Sequence, residues 1–225
     1  MKKLLILIFS ILISFNSYGF FGLFDKTVCV DTDAQKRGGI YYLPNETKPF
    51  TGNNLCLYEN GQNKSEGKVK DGKLKVDGKW TEWHENGQIS SEGNYKDGKE
   101  DGKWTEWHEN GQISSEENYK DGELDGKRTW WWRNGQISSE GNFKDGKGDG
   151  KGTNWYENGQ IWREGNYKNG KRDGKFTWWY LNGQKEAEQI YKDGNYDGKW
   201  TWWHKNGQIK SEATYKDGEC ISGDC

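Results

Sequence analysis

A 24-residue period governs most of this chain. The tripeptide Asn-Gly-Gln begins at residues 60, 86, 110, 134, 158, 182 and 206, so that every interval after a first step of 26 is 24. Asp-Gly recurs in step from residue 77 to residue 197. Six full units therefore run from Asp77 to Cys220, preceded by a longer, degenerate unit from Thr51 to Val76. Self-similarity at this period indicates a repeat architecture before any residue propensity is considered.

Each unit is predicted to be a β-hairpin. The unit 77–100 contains two segments, KWTEWH and QISSEGNYK, joined by the loop Glu-Asn-Gly. Glycine-containing breaks interrupt every unit and leave no stretch long enough for a stable helix. Aromatic-rich segments around an Asn-Gly turn are typical of hairpins. A three-residue loop, with Gly87 in the left-handed position, places Trp83 opposite Ile89.

This register predicts how side chains divide between the two faces of the sheet. One face is expected to collect the positions that vary least: Thr81, Trp83, Ile89, Ser91, Gly93 and Tyr95. The tryptophans of this face are structural repeat positions: Trp83, Trp107, Trp131, Trp155, Trp179 and Trp203. The opposite face is expected to expose a second, variable set: Trp80, Trp104, Trp130, Trp132, Trp162, Trp178, Trp200 and Trp202.

An even period keeps every residue on its face from one hairpin to the next. The predicted fold is therefore all-β: an elongated, single-layer antiparallel β-meander built from about seven 24-residue β-hairpin repeats. Residues 20–50 are predicted to form an N-terminal lead-in and cap. The array is predicted to occupy residues 51–220, and residues 221–225 to form a C-terminal tail.

The composition agrees with a packed chain and excludes one class of partner. Apolar residues make up only 31% of the 225 residues, but aromatic residues reach 15%, and the formal net charge is −2. Disordered chains are poor in aromatic residues and carry high net charge. Nucleic-acid binding needs a basic surface that displaces counterions, so no nucleic-acid partner is predicted.

The first residues have the pattern of a secretory signal peptide. Two lysines precede an apolar run from Leu4 to Phe15, and small residues follow before Gly19. Residues 1–19 are predicted to be removed after Gly19, giving a periplasmic or extracellular protein that needs no membrane association. The alternative is an uncleaved anchor, because apolar character continues to Phe24.

Export gives the four cysteines a structural interpretation. Cys29 and Cys56 precede the regular repeats, and Cys220 and Cys225 end the chain. Four cysteines allow three pairings, of which the local one, Cys29–Cys56 and Cys220–Cys225, would close both ends of the array. Free thiols are the alternative. A zinc site is not predicted, because the chain has no CxxC pair and no histidine near either cysteine pair.

The repeat resembles a known family. The string "WHENGQISSEGNYKDGKEDGKW" is similar to the MORN-repeat variant carried by proteins of the YwqK antitoxin-like family, and the lead-in "YYLPNETKPFTG" at residues 41–52 resembles that family's entry into its first repeat. The resemblance covers roughly residues 40–218. It implies a repeat scaffold that acts as an antitoxin toward a secreted toxin.

No catalytic, cofactor-binding or metal-binding residue is predicted. His84, His108 and His204 share one repeat position, and histidines on successive hairpins lie roughly 10 Å apart, too far to share a zinc ion. The Asp-rich loops, such as 97–102, are explained by turn chemistry, since Lys99 stands where a calcium loop needs an oxygen ligand. Glutamates recur on every unit, whereas an active site is normally a single constellation. The chain is therefore predicted not to be an enzyme.

The excess of tryptophan directs the functional hypothesis. Exposed aromatic patches mark interaction sites. The leading hypothesis is an exported, non-enzymatic repeat scaffold that binds a protein partner or envelope component. The predicted partner-binding residues are Trp130, Trp132, Trp178, Trp200 and Trp202. The alternative is a cell-surface carbohydrate- or choline-type binding module that stacks its ligand on exposed tryptophan rings.

Overall fold

A computed structural model describes residues 25–225, and this part of the chain is almost entirely β-structure. It contains a 22-stranded sheet, a separate two-stranded hairpin and one four-residue helix. The predicted signal peptide, residues 1–19, lies outside the described residues. Within residues 25–225, no helix is long and apolar enough to cross a membrane.

Each unit contributes a six-residue first strand, an eight-residue second strand and, in all but the last, a two-residue short strand. The first strands are β4 (Gly52–Leu57), β7 (Gly78–Trp83), β10 (Gly102–Trp107), β13 (Gly126–Trp131), β16 (Gly150–Trp155), β19 (Gly174–Trp179) and β22 (Gly198–Trp203). The second strands are β5 (Asn63–Lys70), β8 (Ile89–Lys96), β11 (Ile113–Lys120), β14 (Ile137–Lys144), β17 (Ile161–Lys168), β20 (Lys185–Lys192) and β23 (Ile209–Lys216). The short strands are β6 (Lys73–Leu74), β9 (Lys99–Glu100), β12 (Glu123–Leu124), β15 (Lys147–Gly148), β18 (Lys171–Arg172) and β21 (Asn195–Tyr196). The remaining elements are β1 (Thr27–Val28), α1 (Val30–Asp33), β2 (Gln35–Arg37), β3 (Ile40–Tyr42) and β24 (Glu219–Gly223).

The strands pair in the order expected of a meander. Each first strand pairs antiparallel with the second strand of its own unit, as β10 does with β11. Every first strand after β4 also pairs antiparallel with the second strand of the unit before it, as β10 does with β8. The sheet is open: β1 pairs parallel with β4 at one end, and β24 pairs antiparallel with β23 at the other. The predicted all-β, single-layer repeat fold is confirmed.

The three-residue hairpin loop is confirmed in the unit 77–100. The amide of Gly87 donates to the carbonyl of His84 at 2.9 Å, and the amide of His84 donates to the carbonyl of Gln88 at 2.8 Å. Gly87 has φ of 85°, a left-handed conformation that glycine adopts without steric cost. Trp83 then pairs with Ile89, as the sequence predicts.

A β-bulge next to this loop overturns the predicted division of the faces. Glu82 pairs with Ser91 while Trp83 pairs with Ile89, so Ser90 is an extra residue without a partner. One extra residue reverses the alternation of every side chain beyond it. The prediction that Ser91, Gly93 and Tyr95 share a face with Thr81 and Trp83 is therefore wrong.

The bulge recurs in every unit and defines two faces of different chemistry. The aromatic face carries the positions of Trp80, Glu82, Ser91, Gly93 and Tyr95, because Trp80 pairs with Gly93 and Glu82 with Ser91. The ion-pair face carries the positions of Lys79, Thr81, Trp83, Ile89 and Glu92.

On the ion-pair face, one lysine–glutamate pair repeats in each of the six full units. The distances between Nζ and the carboxylate oxygen lie between 2.5 and 2.9 Å, from Lys79–Glu92 to Lys199–Glu212. The lysines are largely exposed, so each pair contributes little stability by itself. Their regularity makes this face uniform along the array.

Both predicted disulfides are present. Cys29–Cys56 joins the N-terminal segment to the first hairpin, and Cys220–Cys225 closes the C-terminal strand. At the N-terminal end, Val28, Val30 and Phe50 pack against Val69 of the first unit. Each end of the sheet is thus held by a covalent link close to the strand edge, where unpaired backbone groups invite association.

The asparagine of Asn-Gly-Gln links successive hairpin loops. Oδ1 of Asn134 accepts a hydrogen bond from the amide of Gln136 at 2.9 Å, and Nδ2 donates to the carbonyl of Glu157 in the next loop at 2.9 Å. The same link to the next loop is made by four other asparagines: Asn60, Asn86, Asn110 and Asn182. The tripeptide recurs because it both closes its own turn and ties one unit to the next.

Asn134→Ala should destabilise the protein more than Asn158→Ala. Both side chains close their own turn, but Nδ2 of Asn158 donates to Gln160 Oε1 within its own loop at 3.1 Å. Only Asn134→Ala removes a hydrogen bond between units, so its loss of unfolding free energy in urea denaturation should be larger by about 1 kcal/mol. Equal losses in the two variants would contradict the inter-loop role.

Candidate functional site on the aromatic face

Large rings on the aromatic face are accommodated by glycine on the preceding strand. A Cβ added to Gly67 would lie 2.0 Å from Trp80, one on Gly93 would lie 1.6 Å from Trp104, and one on Gly165 would lie 2.3 Å from Phe176. No real Cβ fits at such distances. The rings of these three first strands therefore cover the backbone of the preceding unit's second strand.

This packing buries rings that the sequence predicts to be partly exposed. The exposed fraction is 3% for Trp80 and 7% for Trp104. Trp200, which follows Gln189 instead of a glycine, is also buried, at 4%. The prediction fails because it places these rings opposite the tyrosines, whereas the bulge places both on one face. Burying one such ring contributes roughly 1.5–3 kcal/mol.

Tyrosines extend the layer of rings. Tyr95 meets Trp104 edge-on with 5.3 Å between ring centroids, and Tyr167 meets Phe176 edge-on at 5.2 Å. Edge-to-face contacts at these distances are favourable aromatic geometry. The side chains of neighbouring units thus form a core on a single-layer sheet.

The unit 125–148 replaces the ring on glycine with a buried charge cluster. Glu117 stands where Gly93 stands in an earlier unit, and Arg128 stands where Trp104 stands. Arg128 Nε lies 2.7 Å from Glu117 Oε1, and Trp130 Nε1 donates to the same oxygen at 2.9 Å.

The cluster extends to two further contacts. The Tyr119 hydroxyl donates to Glu117 Oε2, and the guanidinium carbon of Arg128 lies 3.7 Å from the centre of the Trp130 ring. Burial, and then the hydrogen bond to Glu117, raise the pKa of the Tyr119 hydroxyl. Glu117 is only 9% exposed, and these partners surround its carboxylate.

The unit 149–172 provides neither a ring nor a charge at this position. Gly152 stands where the other full units carry Trp80, Trp104, Arg128, Phe176 or Trp200. The residue of the preceding second strand that such a ring would cover is also glycine, Gly141. The result is a cavity of about 300 Å³, which we call the ring slot. Its main lining residues are Arg128, Trp130, Gly141, Phe143, Gly152 and Tyr167.

A second row on the aromatic face changes chemistry along the array. The residues in this row are Glu82, Glu106, Trp130, Asn154, Trp178 and Trp202. Trp130 is 42% exposed, and Trp178 and Trp202 are half-buried. Trp178 lies beside Phe176 with 5.8 Å between centroids, and Trp202 lies beside Trp200 at 5.5 Å. The row is acidic in the first two full units and, apart from Asn154, aromatic in the four that follow.

The structure divides the five predicted partner-binding residues into three groups. Trp130, Trp178 and Trp202 share the second row. Trp200 lies beneath that row and contacts Tyr191, Tyr196 and Tyr215. Trp132 lies apart, immediately before the hairpin loop 133–135, and its Nε1 is buried without a hydrogen-bond partner among the described residues.

The histidines share the repeat position of Trp132 and act as links between units. A ring nitrogen of His84 lies 2.9 Å from the carbonyl of Trp107, and one of His108 lies 3.2 Å from the carbonyl of Trp131. Tyr156 and Tyr180 donate their hydroxyls to the equivalent carbonyls of the next unit at 2.8 Å. This geometry gives the position a structural role that the sequence pattern did not reveal.

One group of possible metal ligands occurs among residues 25–225. Ligand atoms of Cys29, Asp31 and Cys56 lie within 4.8 Å of one another. Both cysteines are consumed in a disulfide, so the group offers no thiolate to a metal ion.

Gly165→Ala should destabilise the protein, whereas Gly141→Ala should be neutral or stabilising. The two glycines share one repeat position, but an added Cβ on Gly165 strikes the buried Phe176 ring, while one on Gly141 meets only Phe143 at 3.5 Å. Overpacking typically costs about 1–3 kcal/mol, and glycine-to-alanine at a compatible site stabilises by about 0.4–1 kcal/mol. Thermal melting of the two variants measures the difference. A similar loss in both would show that the ring on glycine is not a structural requirement.

The comparison with family models agrees with this repeat geometry. The MORN repeat variant matches residues 76–97, 100–121, 124–145, 148–169, 172–193 and 196–217, which together are more than half of the chain. No curated protein matches the chain significantly. Each matched segment contains one hairpin loop with its two flanking strands. The chain belongs to the MORN repeat variant family.

Proposed function

We propose that this protein is an exported, non-enzymatic scaffold that binds a protein partner on the aromatic face of its C-terminal units. One observation carries the proposal: Glu82 and Glu106 occupy the second row in the N-terminal units, and Trp130, Trp178 and Trp202 occupy it in the C-terminal units. The hairpin fold does not require this change, because the units keep the same register.

The chemistry of the C-terminal half suits a protein interface. Tryptophan, tyrosine and arginine are the residues most enriched at interface hot spots. Trp130 and Tyr196 are each more than 40% exposed, and the guanidinium of Arg172 lies 5.6 Å from the Trp178 ring. A partner could thus desolvate several rings that the single-layer sheet leaves accessible.

The N-terminal half of the same row is engaged within the protein itself. Glu82 accepts a hydrogen bond from Trp80 Nε1 at 2.9 Å and pairs with Lys75 at 3.0 Å. Glu106 accepts a hydrogen bond from Ser115 at 3.1 Å. These carboxylates serve internal contacts, which supports confining the proposed interface to the units after residue 125.

Export forms part of the proposal. The pattern of residues 1–19 is typical of a cleaved signal peptide, and the two disulfides are consistent with a non-cytoplasmic protein. The resemblance to the YwqK antitoxin-like family extends the proposal to a toxin as the class of partner. In this proposal, the scaffold binds its partner and catalyses no reaction.

The double substitution Trp178→Ala plus Trp202→Ala should reduce partner binding. Losing interface anchors costs about 2 kcal/mol or more, which corresponds to a roughly 30-fold weaker complex. The mature protein would be immobilised and exposed to envelope extract from the producing cell. Any retained protein would then be purified and its dissociation constant measured with each variant.

Glu82→Ala plus Glu106→Ala is the matched control, because it changes the same repeat position in the N-terminal units. This control should leave binding unchanged, and circular dichroism should show that both double variants keep the sheet. Equal binding by the two double variants would reject the proposed face. Ring-dependent retention on choline or glycan resin, with no ring-dependent protein partner, would replace the proposal with the carbohydrate- or choline-binding alternative.

A further inference from the structure

We infer that the ring slot receives an aromatic side chain of the protein partner. The inference deepens the proposed function, and it rests on that function for the identity of the guest as part of a protein. The slot lies on the aromatic face, with Trp130 of the second row in its wall.

The repeats of this chain show what the slot fits. At the position of Gly152, four other units carry a ring: Trp80, Trp104, Phe176 and Trp200. Phe176 lies over Gly165 with edge contacts to Tyr167 and Tyr191 at 5.2 and 5.3 Å. The slot has equivalent neighbours: Gly141 forms its floor, and Phe143 and Tyr167 lie beside it. A ring supplied by another molecule would restore the interrupted layer.

The polar groups around the slot favour an aromatic guest over a sugar. Arg128 is paired with Glu117 at 2.7 Å, and Asn154 Oδ1 accepts a hydrogen bond from Arg163 at 2.9 Å. A sugar needs several converging hydrogen-bond partners, whereas the Arg128 charge and the Asn154 amide oxygen are engaged within the protein, and Phe143 and Tyr167 present aromatic rings. The volume of about 300 Å³ is at the lower end for ligand pockets, and it suits a single ring system.

The backbone allows the slot to be filled by mutation. Gly141, Gly148 and Gly152 all lie outside the left-handed region, so an ordinary residue can adopt their conformation. An added Cβ on Gly152 lies 3.1 Å from Tyr167 Cε2, which requires a shift of only a few tenths of an ångström by that ring. Gly152→Phe would place a ring over Gly141, as Phe176 lies over Gly165.

Binding of a single ring can be measured on the unmodified mature protein. With ¹⁵N-glycine labelling, the signals of Gly141, Gly148 and Gly152 report directly on the slot. Titration with N-acetyl-L-tryptophanamide should shift these three signals with a dissociation constant on the order of 1 mM. N-acetyl-L-alaninamide, methyl glucoside and choline are the matched probes, and none of them should shift these signals to saturation.

Gly152→Phe should abolish the shifts while raising the melting temperature, because it fills the cavity. Leu57→Phe, at a side chain that is 53% exposed in the first unit and outside the left-handed region, provides a control that adds a ring elsewhere. Absence of saturable shifts at the slot glycines with the tryptophan probe, or stronger binding of the glucoside, would overturn the inference. The titration of the unmodified protein tests the inference even if Gly152→Phe does not fold.

Measuring partner binding with both sets of variants distinguishes a failure of the slot inference from a failure of the proposed function. If Trp178→Ala plus Trp202→Ala weakens a protein complex and Gly152→Phe does not, the binding face stands and the slot inference is wrong. If Gly152→Phe weakens the same complex at least 10-fold and Leu57→Phe leaves it unchanged, the partner's ring occupies the slot.

Discussion

The structure depends on a ring from one hairpin covering a glycine of the hairpin before it. A single-layer sheet has no second sheet or helix to bury its apolar side chains, so burial has to be achieved between neighbours on the same face. Gly67, Gly93 and Gly165 allow Trp80, Trp104 and Phe176 to lie directly on the preceding backbone, with exposed fractions between 0% and 7%. Stability in such an array is then a sum of units and of contacts between neighbours.

This rule has a departure at Gln189, where the following ring, Trp200, is still buried, and two more in the middle of the array that distinguish this protein from a uniform scaffold. At Glu117 and Arg128, a charge pair takes the place of glycine and ring, and it holds Trp130 by a hydrogen bond and by a guanidinium contact. At Gly141 and Gly152, two glycines meet and leave the ring slot. The most exposed ring of the second row, Trp130, is therefore positioned between a buried charge cluster and a cavity. Local loss of packing here coincides with the proposed binding face.

Sequence alone predicts the fold well and the site in part. The 24-residue period, the Glu-Asn-Gly loop and the pairing of Trp83 with Ile89 follow from turn chemistry and even spacing. The bulge at Ser90 has no signature in the sequence, because serine occurs both in strands and in bulges. A register without the bulge therefore places Gly93 and Tyr95 on the wrong face of the sheet. The slot was nevertheless readable. Comparing the Gly93 position of each unit with the Trp104 position of the next shows glycine with a ring three times, glutamate with arginine once, glutamine with a ring once, and glycine with glycine once.

The most direct test compares two in-phase deletions of 24 residues each. Deleting residues 149–172 brings Phe176 over Gly141 and closes the slot. Deleting residues 125–148 removes Arg128 and Trp130 and leaves the buried Glu117 facing Gly152. If the ring-on-glycine contact governs stability, the first variant should melt within about 4 °C of the full-length protein or above it, and the second should melt clearly lower. Equal melting temperatures for the two deletions would contradict the account.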